Sequence, residues 1–141
     1  HPDAADFVLA LGKVVVRNFR RKLAEFDLGL ALEPAWPRNR DITISNKILQ
    51  YLNAGLAVIS TDTAGQAEVM RAVPDSGLLV QAHETTQLTA QLDALFADRG
   101  RLRAMQVAAR RAAENLFSWE REEPRLLAAV AEALSRPARS P

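Results

Sequence analysis

The sequence contains no cysteine, so neither a disulfide framework nor thiolate chemistry is open to it. Histidine is nearly as scarce: His1 and His83 stand far apart and supply no clustered set of soft metal ligands. No metal site is expected. Charge of one sign is also missing, because 18 basic residues face 17 acidic ones and leave a net charge of +1. No global field then steers the chain to nucleic acid or to an anionic membrane. No apolar run approaches the roughly 20 residues of a membrane span, and the pattern of basic start, apolar centre and small-residue cleavage site is not seen. Internal repeats and low-complexity tracts are absent too. What remains is 141 residues, 48% of them hydrophobic, which suits one soluble domain with a core of its own. The chain opens at His1-Pro2 rather than at a methionine, so a piece of a longer protein is expected.

Short apolar runs alternate with helical patterns along the chain. "FVLAL" (residues 7–11) reads as a strand, and Phe19, Leu23 and Phe26 recur at helical spacing after it. "DLGLALE" (27–33) reads as a second strand, and "PAWPRNRDIT" (34–43), with two prolines and mixed charges, as a loop. Ser45 or Thr43 can cap a helix of about ten residues that ends at Gly55, where a left-handed residue is wanted. "LAVIS" (56–60) is apolar and partly β-branched without alternation, as in a central strand covered on both faces. "TDTAGQ" then reads as a loop, "AEVMRAV" as a short helix, "PDSG" as a turn and "LLV" (78–80) as a strand.

The rest is helical. Leu88, Leu92, Leu95 and Phe96 form one stripe, and Leu102, Met105, Ala109, Ala112 and Leu116 the next, both facing a core. Leu126, Leu127, Val130 and Leu134 mark a final amphipathic helix that starts afresh or kinks at Pro124. Residues 136–141 should fray. Continuous apolar strands between helices predict an α/β fold, a Rossmann-like three-layer sandwich around a parallel sheet. In such sheets ligands bind at the carboxyl ends of the strands.

The helix beginning near Ser45 lies at that edge. Its N-terminus carries partial positive charge and unpaired N–H groups, which favour an anion. Lys47 in the first turn would be unfavourable there unless an anion neutralises both. Asn46, Lys47 and Gln50 share one face while Ile48, Leu49 and Leu52 occupy the other. An ordinary Ser45 cap beside a solvated polar face is the plainer reading of the same spacing.

The stretch at residues 26–70, and within it "ISNKILQYLNAGLAV", resembles the carboxyl-terminal lobe of group 1 glycosyltransferases of the GT-B fold. "GQAEVM", "GLLV", a helix pair and "FSWE" (117–120) follow in that family's usual order, so the resemblance spans residues 7–134 or thereabouts. It implies that residues 1–135 are a partial GT-B lobe, lacking its first strand or strands, that binds a nucleotide-diphosphate sugar as donor substrate and needs no cofactor. Donor binding would then fall to Ser45, Asn46, Lys47 and Gln50, together with Thr63, Ala64, Gly65 and Gln66 after the central strand. Lys47 and the N–H groups of residues 63–66 would stabilise the leaving diphosphate, with Gly65 allowing close backbone approach. Catalytic residues are not identified.

This chain departs from the family pattern at both expected carboxylates. Gln50 stands in place of the ribose-binding glutamate and Ile42 in place of the earlier one, with Asp41 or Glu33 as neighbouring substitutes. The resemblance further implies a missing amino-terminal acceptor lobe, so that the chain alone does not turn over, and work on a saccharide or glycoconjugate in the bacterial cytoplasm or at the inner face of the membrane. Pairing with a second copy, a homodimer of the isolated chain, is one way for exposed sheet edges to be covered. A catalytically inactive GT-B-like binding or assembly module is the competing reading. Nucleic acid is not an expected partner. The basic run at residues 17–22 and the arginines of residues 101–111 read as solvated helix faces, His83 as an inert turn residue, Trp36 as an anchor, lid or lobe contact, and Trp119 as core or brace.

Overall fold

The computed structural model describes residues 21–135. Three parallel strands form its sheet: β1 (Leu28–Ala31), β2 (Ala57–Thr61) and β3 (Gly77–Val80), in the order β1-β2-β3. β2 is central, as its unbroken apolar run predicts, and all five of its residues are buried. Its register sets Ala31 beside Ser60 on one side and Thr61 beside Val80 on the other. The carboxyl ends of the strands therefore meet at one edge. The strand expected at residues 7–11, and most of the helix after it, lie outside the described residues.

Six helices lie wholly within the described residues and accompany the sheet: α1 (Arg38–Ile42), α2 (Asn46–Ala54), α3 (Ala64–Ala72), α4 (Thr85–Ala97), α5 (Arg99–Asn115) and α6 (Trp119–Ser135). Successive side chains of β2 point to opposite faces. Val58 packs with Ile48 and Leu52 of α2, Val69 and Met70 of α3 and Ala109 and Ala112 of α5. Ala57 and Ile59 pack with Leu95 of α4 and with Leu102 and Met105 of α5. Helices thus cover both faces of a parallel sheet, and the fold is α/β and Rossmann-like. Full burial of side chains the size of Ile48 or Leu52 contributes about 1.5–3 kcal/mol each. α5 is also pinned by polar contacts: Gln106 Nε2 donates to the Asp27 carbonyl at 3.0 Å, and Arg110 to the Asn53 carbonyl at 3.2 Å.

α2 begins and ends where its sequence says. Ser45 Oγ accepts from the Lys47 N–H, and Gly55 closes the helix at φ 74°, a left-handed conformation that glycine adopts without steric cost. Elsewhere the structure corrects the reading. The proline-flanked segment is not all loop, because residues after Pro37 form α1. α3 starts three residues earlier than its apolar pattern suggests, with Thr63 as its cap, so Ala64, Gly65 and Gln66 are its first turn rather than a loop.

The last helix does not restart at Pro124. It runs through the proline from Trp119, giving up one backbone hydrogen bond there. Its apolar stripe touches no core among the described residues: Leu126, Leu127, Val130 and Leu134 are exposed, as is Trp119. Phe96 and Leu116 are likewise half exposed, although their stripes otherwise pack. No helix among the described residues is long and apolar enough to cross a membrane.

Candidate functional site

At the carboxyl edge of the sheet, β1 runs out at Ala31 and the chain turns through Glu33 toward α1. Thr61, the last residue of β2, fixes that turn. Its hydroxyl accepts from the Glu33 N–H at 2.9 Å and donates to the Glu33 carbonyl at 2.7 Å. The same oxygen accepts from Gln66 Nε2 at 3.0 Å. Thr61 and Gln66 are both buried, so this network sits in low dielectric, where a lost partner costs most. Its donors and acceptors also set the amide of Gln66: Nε2 faces Thr61, and Oε1 is left without a partner among the described residues, as is the Oγ of Ser60, the residue before Thr61.

From this fixed backbone the Glu33 side chain reaches the start of α2. Its Oε1 accepts from Lys47 Nζ at 2.7 Å and from Ser45 Oγ at 3.3 Å. The Glu33 side chain is 18% exposed and that of Lys47 55%, so the cation lies at the surface with its carboxylate partner behind it. The hydrogen bond from Lys47 holds the Glu33 carboxyl below its ordinary range, against an opposing effect of partial burial, and the positive charges of Lys47 and Arg40 act in the same direction. The same bond raises the Lys47 ammonium, chiefly through Glu33. Both groups are therefore charged at neutral pH.

The start of α3 lies nearby and is closed in a different way. Asp41, from α1, accepts from the Ala64 N–H at 3.0 Å, and Thr63 Oγ1 from the Gln66 N–H at 3.5 Å. A Cβ on Gly65 would stand 2.5 Å from the Thr43 carbonyl carbon and oxygen. The close approach this glycine permits is thus to the chain's own backbone at Ile42 and Thr43. Thr43 in turn donates to the Asn39 carbonyl, tying α1 to the residue that packs on α3.

The expected site residues fall into two groups. Asn46, Lys47 and Gln50 are exposed on α2, with Ser45 half buried at its cap. Thr63, Gly65 and Gln66 are buried and only Ala64 is exposed, so the second group supports the edge from beneath. Ile42, at the register of the earlier carboxylate, is 60% exposed. Asp41 and Glu33 do supply carboxylates here, Asp41 accepting from the Ala64 N–H and Glu33 paired with the Lys47 ammonium. Sequence reasoning missed Thr61 as the residue that fixes Glu33; its signal was a pair of hydroxyl residues, Ser60 and Thr61, ending a central strand that starts apolar. Trp36 is exposed on the turn between β1 and α1. Among the described residues no three metal-ligating side chains gather. A groove of about 1070 Å³ lies at the opposite edge, where β3 begins, between residues 72–78 and α5. It is far from this ion pair along the strands.

A model of the group 1 glycosyltransferases matches residues 3–98, more than half of the chain. The chain belongs to the group 1 glycosyltransferase family. That span contains the whole of the edge just described, from Glu33 through Lys47 to Gln66. Among curated proteins none matches the chain. Membership supports glycosyl transfer as the general chemistry of this glycosyltransferase domain, on a fold whose ligands enter at the strand ends.

Proposed function

We propose that this domain is the donor-binding lobe of its glycosyltransferase and holds a nucleotide-diphosphate sugar, with the diphosphate at Lys47. The observation that carries the reading is a half-exposed ammonium, charged at neutral pH, in the first turn of α2 at the carboxyl edge of a parallel sheet. A cation next to a positive helix end is unfavourable by itself; Glu33 offsets that conflict in the free chain, and a bound phosphate would take up the same role in the complex. Ser45, Asn46 and Gln50 extend the polar face on which the nucleotide would lie. Thr63 to Gln66 support that face rather than cradle the phosphate, since Asp41 and the Thr43 backbone occupy the space in front of them. The acceptor saccharide or glycoconjugate is held by a second lobe outside this chain, and the work takes place in the cytoplasm or at its membrane face.

Addition of nucleotide-diphosphate sugars to the labelled chain tests this by NMR. Saturable shifts of the Ser45, Asn46, Lys47 and Gln50 amides are expected. Shifts confined to other parts of the molecule would contradict the assignment.

A second reading, an inactive module used for binding or assembly, is favoured by Gln50 and Ile42 standing where the family's carboxylates are expected. Donor hydrolysis by a protein that includes the acceptor lobe separates the two: turnover supports the enzyme, and its absence across a panel of donors supports the module.

A further inference from the structure

Lys47 does not wait for a phosphate with an open coordination shell. Glu33 Oε1 already accepts from its ammonium at 2.7 Å, and Ser45 Oγ donates to the same oxygen. Nor is this carboxylate free to drift away. Both backbone groups of Glu33 are held by Thr61 Oγ1, and Thr61 is held in turn by the buried Gln66 amide. The side chain that emerges from this anchor is mostly buried, so rotation into bulk water is restricted. A negative charge is thereby held within hydrogen-bond distance of the cation that an anionic ligand would meet.

We infer that Glu33 is a specificity-determining residue whose carboxylate competes with phosphate for Lys47, so that this corner rejects small free anions such as inorganic pyrophosphate. The inference rests on the reading of Lys47 as a phosphate contact. Its logic is that of a built-in repulsion against the wrong ligand. Two like charges sharing one cation repel at short range, and near a protein surface that repulsion is only partly screened. A nucleotide-diphosphate sugar offsets it with contacts from its base and sugar elsewhere on the face. Pyrophosphate has no such contacts and bears the whole penalty.

Glu33→Gln keeps the shape and the hydrogen-bonding reach of the side chain while removing its charge. In calorimetric titrations of the 141-residue chain with inorganic pyrophosphate, Glu33→Gln is expected to bind about tenfold more tightly than the native protein. Glu114→Gln deletes an equal charge from the exposed Arg110 pair on α5 and should leave the affinity unchanged. In a Lys47→Ala background the gain from Glu33→Gln should vanish, because the competition is for that ammonium.

An unchanged or weaker affinity in Glu33→Gln overturns the inference, since it would make Glu33 a support for Lys47 rather than its competitor. A gain that survives in Lys47→Ala overturns it as well, as does pyrophosphate binding by no variant. Failure of the underlying reading looks different: nucleoside diphosphates would then bind the native chain and Lys47→Ala equally. Thermal unfolding of each variant identifies any that has lost its fold, and a folded Glu33→Asp, with the charge kept, is expected to retain the native discrimination.

Discussion

The hydroxyl of Thr61 closes a two-point contact on Glu33, accepting from its N–H at 2.9 Å and donating to its carbonyl at 2.7 Å. One side chain at the end of the central strand thus does for the β1 turn what a further rung of sheet would do. It leaves the carboxylate of Glu33 at the start of α2, accepting a hydrogen bond from the ammonium of Lys47.

Replacing Thr61 by valine preserves shape but strands the Glu33 backbone groups and the Gln66 amide in a buried setting. Each unsatisfied buried group costs about 1–3 kcal/mol, so a loss of that order or more is expected in urea denaturation. Thr61→Ser keeps the hydroxyl and should recover most of it. Equal stability of the valine and serine variants would show that the hydroxyl carries no weight.

Gly65 should tolerate no side chain. A Cβ there would meet the Thr43 carbonyl at 2.5 Å, and that neighbour is backbone, which cannot rotate aside. Gly65→Ala is therefore expected to destabilise by about 1–3 kcal/mol, the usual cost of overpacking, despite alanine's better helix propensity. A stabilised Gly65→Ala protein would mean that α1 and α3 are not in this contact.

The ion pair predicts a specific pH response. Glu33 is held below its ordinary value of 4.5, first by the hydrogen bond from Lys47. The folded chain thus takes up this proton less readily than the unfolded one, and stability rises with pH across that interval. The contribution is fully present above 4.5 and is lost as pH falls through the lower folded value. Lys47 is raised above 10.5, so its share is present below that value and is lost as pH climbs through the higher folded one. In Lys47→Ala the Glu33 carboxyl should titrate at higher pH, and the stability gap to the native protein should close in acid. NMR titration of the Glu33 carboxyl carbon checks this; an unmoved midpoint would contradict it.

Apolar residues with the same sequence signature should behave differently on α2 and α6. Leu52 is fully buried, and Leu52→Ala is expected to cost about 2–5 kcal/mol. Leu127 is 61% exposed, and Leu127→Ala should fall within about 0.5 kcal/mol of the native protein. Paired denaturation curves decide it, and comparable losses would place α6 against a core after all.

These contrasts also mark how far the sequence could be read. The α2 and β2 pair was legible because its signals are local: a serine cap, a glycine stop and an unbroken apolar run lie within residues 45–60. α1 was hidden because it depends on tertiary support, with Asp41 reaching the start of α3 and Thr43 lying on Gly65. The first turn of α3 looked like a loop because it opens on Ala-Gly after a threonine that proves to be its cap. The stripe of α6 has the same period as that of α5, and periodicity alone cannot say whether a partner lies opposite. Lys47 could be singled out from its place beside a helix cap. The grip of Thr61 on Glu33 joins residues 28 apart, and no local pattern encodes it.

The most direct test is calorimetric titration of the chain and of its Lys47→Ala variant with a nucleoside diphosphate. Saturable binding by the native chain, weakened about tenfold or more by Lys47→Ala, is the predicted result, since a charge-assisted hydrogen bond contributes about 1.5–3 kcal/mol. Equal affinity in the two proteins, or no binding by the native chain, would contradict the account.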